Sequence, residues 1–138
     1  MPFTFHDAPD DAVRQAVLQP LLASNRARGP QLDLRPFAFT IDDDAGRVLG
    51  GLVGRTAYDW AVIELLYVPP EARGRGTGRR LVAAAEALAR DRGCTGIWLD
   101  SFGFQAPEFY RRLGYRVFGT LPDNPRGDSR WFLSKRLD

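Results

Sequence analysis

The chain has 138 residues, 44% of them hydrophobic and 26% charged, so it is long enough to bury a core and leaves little room for a second domain. That composition excludes a disordered chain, and no apolar run approaches the length of a bilayer span. The formal net charge is +2, with basic side chains spread over several segments and offset by seventeen carboxylates, so no broad nucleic-acid-binding face is implied. Cys94 is the lone cysteine, which rules out an internal disulfide and a paired-thiol redox or zinc site. Met1 to Asp10 is polar and acidic, without the pattern of a leader segment. A cytoplasmic protein without metal, and with neither membrane nor nucleic acid as partner, is the expectation.

In chain order, Asp10 and Asp11 precede Val13, Val17, Leu18, Leu21 and Leu22 at helical spacing, which predicts a capped amphipathic helix from about residue 10. Pro20 suits the first turn of a new helix better than a helix interior, so two short helices are expected, ending near Gly29 and Pro30. Phe37, Phe39 and Ile41 alternate with Ala38 and Thr40; Asp42 to Gly46 supplies turn chemistry and Val48 to Val53 resumes the apolar run, a hairpin. After the link Tyr58 to Trp60, the segment Ala61 to Val68 reads as a buried central strand, ended by Pro69 and Pro70. From Gly78, the residues Leu81, Val82, Ala85, Leu88 and Ala89 form one apolar helix face. Arg80, Glu86, Arg90 and Asp91 lie mostly elsewhere, and Gly93 is a natural stop. Gly96 to Asp100 reads as a strand, Gln105 to Leu113 as a helix closed by Gly114, and Tyr115 to Leu121 and Trp131 to Leu137 as further strands. No repeat or linker interrupts them, so residues 1–138 are expected to form a single domain built on one mixed α/β sheet.

The strongest chemical signal is the run Val68 to Arg80, where Arg73, Gly74, Arg75, Gly76, Thr77, Gly78 and Arg79 join a strand end to a helix start. The first amides of a helix lack internal partners, the helix dipole is positive there, and glycine lets a pyrophosphate approach the backbone. The arginines add charge from the rim. No Gly-Lys-Ser or Gly-Lys-Thr ending is present and the glycines are spaced two apart, so neither common nucleotide loop fits.

The order Arg73-x-x-Gly76-x-Gly78 after a Val-x-Pro strand end resembles the coenzyme A signature, R/Q-x-x-G-x-G/A, of the GNAT superfamily of N-acetyltransferases. Downstream, Ala106 to Tyr115 resembles that family's second signature, A-x-x-x-Y-x-x-x-G-F, at the expected distance. The resemblance spans roughly residues 48–117. The stretches Ser101 to Tyr110 and Phe132 to Leu137 look like those of a group of small bacterial members. It implies a mostly antiparallel sheet of six to seven strands flanked by about four helices. It also implies acetyl-CoA as cosubstrate, held by Leu66, Val68, the segment Arg73 to Arg79, Ala106 and Phe109. One position departs from the pattern: where many members carry asparagine, three residues before Ala106, this chain has Gly103.

A thioester is attacked by a neutral amine, whereas an alkylamine has a pKa of about 10.4 and is mostly protonated at neutral pH, so a base is needed. Strand alternation puts Glu64 on one face with Val62, Leu66 and Val68, and makes it the candidate general base, acting through a water. Glu64 also matches the glutamate of the strand motif L-E-D-L-Y-V of polyamine-type members, with Leu65 in place of aspartate. Asp100 is the alternative, and neutralising a nearby arginine is the other role open to Glu64. The resemblance makes Tyr110 the general acid for the leaving thiolate, and the backbone amide of Val68 the natural oxyanion donor. The acceptor is expected to be a small-molecule, peptide or protein amine, with a homodimer common for such domains. A non-catalytic acyl-CoA sensor is the competing reading. His6 reads as a surface residue, Cys94 as buried structure, and Arg126-Gly127-Asp128 as part of a polar loop bordering the acceptor site.

Overall fold

A computed structural model describes all 138 residues, which divide into two compact units, Met1–Asp33 and Leu34–Asp138. The first contains α1 (Asp11–Arg28), started by the Asp10 carboxylate accepting the Val13 amide at 3.2 Å, with Asp11 in the first turn and Arg26 and Arg28 in the last, as the helix dipole favours. The two helices expected here are one, with Pro20 inside it. Proline removes a single amide donor from the ladder, and the alanine, leucine and glutamine around it keep the remaining turns intact.

The second unit is a six-stranded sheet in the order β1-β2-β3-β4-β6-β5, built from β1 (Arg35–Asp42), β2 (Val48–Ala57), β3 (Trp60–Tyr67), β4 (Gly96–Phe102), β5 (Arg116–Pro122) and β6 (Ser129–Arg136). All neighbours are antiparallel except β3 and β4. A parallel pair requires a crossover, and α2 (Thr77–Asp91) supplies it, while α3 (Pro107–Arg112) links β4 to β5. With α1 continuous, the chain has three α-helices, one fewer than expected, plus a 3-10 turn at Pro70–Ala72.

Leu81, Val82, Ala85 and Ala89 of α2 pack on Leu52, Ala61, Ile63, Ile97, Leu99 and Leu133 of the sheet, a contiguous apolar core. Glu86 is also buried on this face, which corrects its expected exposed position and its pairing with Arg90. Its carboxylate accepts from the Tyr115 hydroxyl and from Lys135 Nζ, both at 2.9 Å, and Lys135 also donates to the Leu113 carbonyl at the end of α3. A carboxylate is tolerated here because it is paired with Lys135 and each of its oxygens accepts a hydrogen bond.

Two irregularities shape the middle of the sheet. The β2–β3 ladder pairs Val53 with Leu65 and Gly54 with Ile63, so Glu64 is an extra residue without an opposite partner, a β-bulge. The bulge shifts the alternation, so that Ile63 packs into the same core as Leu66 and Val68. Glu64 therefore does not continue the strict alternation expected of it, and only the first half of β3 is buried. The parallel β3–β4 ladder ends where Ile63 meets Leu99; beyond that point the two strands part.

Candidate active site

The parting of β3 and β4 opens a cleft of about 1040 Å³, at the upper end of the range usual for ligand sites. Its walls are the ends of the two strands, its rim the turn before α2, and its far side α3. Leu66, Val68, Arg73, Gly74, Gly76, Thr77, Gly78 and Arg79 line it together with Glu64, Asp100, Ala106, Phe109 and Tyr110. Of the residues expected to catalyse or to hold the coenzyme, Arg75 alone does not line the cleft; it is exposed.

Pro69 and Pro70 stop β3, and the chain turns through Gly74 and Gly76, which both have positive φ. Gly76 caps α2 at φ 73°, a conformation that costs an L side chain about 1–2 kcal/mol. The amides from Gly74 to Arg79 donate to no group of the chain; the first amide bond of the helix start is Arg80 N–H to the Gly76 carbonyl, 3.0 Å. A row of free donors at the positive end of a fifteen-residue helix is an arrangement suited to an anion. Side chains brace the turn: Thr77 Oγ1 donates to the Ala72 carbonyl at 3.0 Å, and Arg73 Nε to the Val68 carbonyl at 2.9 Å. Val68 is thereby fixed, and its own N–H finds no acceptor in the chain. Gly78 leaves room for the Phe109 ring, whose Cζ lies 3.1 Å from where a β-carbon would stand.

Glu64 is half-exposed on its bulge and pairs with Arg55 Nη1 at 3.1 Å. Asp100 accepts from Arg130 Nε at 2.8 Å. Tyr110 is buried, edge-on to Phe109 and to Tyr115 at centroid distances of 5.0 Å and 5.9 Å. Burial first, and the negative charge of Asp100 second, push its phenol up to about 12. Tyr115 is pushed up by burial, then by the charge and hydrogen bond of Glu86.

Gly103, at the position where the resemblance leads one to expect asparagine, lies against the loop before β6. Its amide donates to the Ser129 carbonyl at 2.9 Å, and a β-carbon there would overlap the Asp128 carboxylate. The polar loop before β6 has closed over that position. Sequence reasoning missed Arg130, Phe102 and Gln105 as cleft residues. Arg130 stands opposite Phe102 in the β4–β6 ladder, and no local spacing announces a neighbour twenty-eight residues away.

The two tyrosines have a consequence for stability. In the unfolded chain their phenols ionise at about pH 10, whereas the fold keeps both protonated well beyond it. Above that pH the unfolded state binds fewer protons than the native one, so stability falls as pH rises. The expected slope is about 1.4 kcal/mol per pH unit for each tyrosine, until the native phenol itself ionises. Burial also pushes the Cys94 thiol up, so the same kind of loss begins at about pH 8.5, and urea titrations should give a midpoint that falls gently from there and more steeply above about 10. Tyr115→Phe should remove one tyrosine's share of the decline above about pH 10 and leave the gentler fall from Cys94 in place.

Comparison with known proteins agrees with this architecture. The sequence profile of the Acetyltransferase (GNAT) family matches residues 4–115. An acetyltransferase of Agrobacterium fabrum is 40% identical over 99% of this chain and 100% of its own length. Blasticidin-S acetyltransferase of Streptomyces morookaense is 42% identical over 80% of this chain and 84% of its own. A crystal structure of a protein from Agrobacterium tumefaciens superposes with a TM-score of 0.93 at 40% identity, covering 99% of both chains. The chain belongs to the GNAT family of acetyltransferases, and its mixed, mostly antiparallel sheet is that family's fold. It is an N-acetyltransferase, which sets aside a coenzyme sensor without chemistry. No helix is long and apolar enough to cross a membrane.

Proposed function

We propose that the protein transfers the acetyl group of acetyl-CoA directly to a primary amine, with Glu64 as general base through a water and Tyr110 as general acid. What carries this reading is that Gly74, Gly76, Thr77, Gly78 and Arg79, whose amides are free, line one cleft together with Glu64 and Tyr110. The coenzyme pyrophosphate binds those amides with Arg73 and Arg79 at the rim, and its arm runs along Leu66 and Val68 towards the point where β3 and β4 part. The Val68 N–H receives the oxyanion of the tetrahedral intermediate, at the end of a strand already clamped by Arg73. Tyr110, protonated throughout the working pH range, donates to the departing thiolate. Acyl passes from sulfur to nitrogen without a covalent enzyme intermediate: the amine's proton leaves through Glu64 and the thiolate gains one from Tyr110.

The family match begins at residue 4, before α1, which supports reading residues 1–138 as one working domain. A cytoplasmic location fits the buried, unpaired thiol of Cys94. A small-molecule amine is the favoured acceptor, in keeping with the antibiotic named for the Streptomyces relative.

The test is thiol release from acetyl-CoA over an amine panel of amino acids, polyamines, aminoglycosides and peptide N-termini; no release with any of them removes the reading. The base is tested by pH. Glu64→Gln should depress kcat at neutral pH and recover much of it near pH 9 to 10, as an alkylamine of pKa about 10.4 begins to deprotonate unaided. If Glu64, balanced by Arg55, only attracts a cation, KM rises and kcat stays nearly constant.

A further inference from the structure

We propose that Arg130 anchors an oxyanion on the acetyl acceptor, so that the substrate is an amine that also carries a carboxylate or phosphate. The proposal rests on the amine-acetylating reading above and narrows its acceptor. The β4–β6 ladder sets Asp100 opposite Phe132 and Phe102 opposite Arg130, so these four side chains leave one face of the sheet. On that face the Arg130 guanidinium lies 5.3 Å from the Phe102 ring centroid and 5.2 Å from that of Phe132, while its Nε donates to Asp100. Phe104 stacks on Phe102 with centroids 5.4 Å apart and an interplanar angle of 11°, extending the aromatic platform.

The guanidinium is thus fixed on three sides, yet it spends only Nε on the protein; Nη1 and Nη2 have no hydrogen-bond partner in a residue that lines the cleft. A planar fork already immobilised loses little further entropy on meeting a carboxylate or phosphate, and meets either with two parallel bonds. The other cleft arginines, Arg73 before the glycine turn and Arg79 in the first turn of α2, flank the row of free amides, so Arg130 is the guanidinium left for the acceptor. Glu64 of β3, paired with Arg55, lines the same cleft, so acceptor oxygens for an amine and donors for an oxyanion face one molecule. Asp100 neutralises Arg130, so what remains is directed donors rather than net charge, and the consequence is discrimination more than raw affinity. The charge of Asp100 also reaches the Tyr110 phenol, which puts this anchor near the reacting end of the cleft.

The experiment compares amino acids with their carboxamides, and phosphoethanolamine with ethanolamine, as acceptors for the wild type, Arg130→Gln and Arg130→Lys. The wild type should prefer the anionic member of at least one pair by about tenfold or more in kcat/KM, and the two arms tell carboxylate from phosphate. Arg130→Gln should bring that preference near or below one, mainly through the KM of the anionic member. Arg130→Lys should restore part of the preference, since it keeps the charge and loses the fork. Unchanged acetyl-CoA affinity by calorimetry shows each variant folded. A wild type that acetylates the neutral partners as well as the anionic ones overturns the anchor and leaves the amine reading intact. So does an Arg130→Gln variant that slows both members of each pair equally, which reduces Arg130 to a support for Asp100. Absence of turnover with every amine removes the underlying reading and the anchor together.

Discussion

Gly76→Asp is expected to weaken acetyl-CoA binding by about 10²-fold or more, the sum of a conformational and an electrostatic effect acting in the same direction. Gly76 caps α2 at φ 73°, so any L side chain there pulls the turn away from the shape that aligns its free amides, at about 1–2 kcal/mol. A β-carbon at this position also lies 3.3 Å from Arg79 Nη2, so the new carboxylate captures that arginine and removes it from the phosphates. The remaining effect is repulsion: unit charges about 5 Å apart at an effective dielectric constant of about 20 interact by roughly 3 kcal/mol, part of which solvent at the rim screens away. Gly76→Ala separates the two causes, since it keeps the strain and omits the charge; about tenfold is expected of it. Titration calorimetry at two salt concentrations completes the comparison, because the excess loss in the aspartate variant should shrink with salt and the alanine loss should not. A folded aspartate variant with wild-type affinity would remove the phosphate turn from the site.

The turn was readable in the sequence because everything that defines it is local: a strand ended by two prolines, glycines at the positions with positive φ, and a 3.6-residue apolar period beginning immediately after. The same holds for the hairpin of β1 and β2 and for the placement of Tyr110 on a helix facing the cleft. What escaped was set by contacts distant in sequence. Pro20 reads as a helix break because its local cost is evident, while the cap at Asp10 and the good helix formers on both sides outweigh it. Glu86 looks like a surface partner of Arg90 until Lys135 and Tyr115 arrive from β6 and from the turn after α3 to satisfy it in the core. The alternation that gave Glu64 its face fails for the same kind of reason. A bulge is a mismatch between two strands, and a single strand's pattern cannot display it. Arg130 is the furthest case, since its partners Asp100, Phe102 and Phe132 meet only when β6 inserts between β4 and β5.

Tyr110→Phe is expected to lower kcat by about 10²-fold or more while leaving fold and coenzyme affinity close to wild type. The ring is fixed by its edge contacts with Phe109 and Tyr115, and both survive the substitution. The hydroxyl donates to no group of the chain, so its removal strands no buried partner, and a change in stability within about 1 kcal/mol is expected. Its proton is the only thing lost. Because burial and Asp100 push the phenol up to about 12, wild-type Tyr110 carries that proton at any ordinary assay pH. No fall in kcat attributable to Tyr110 should therefore be seen below about pH 11, and the deficit of the phenylalanine variant should be nearly constant across that range. Single-turnover measurement of thiol release makes the comparison decisive, since product departure can otherwise mask a slower chemical step. Equal single-turnover rates in the two proteins would leave Tyr110 as a packing residue, and the thiolate would then take its proton from water admitted between the ends of β3 and β4.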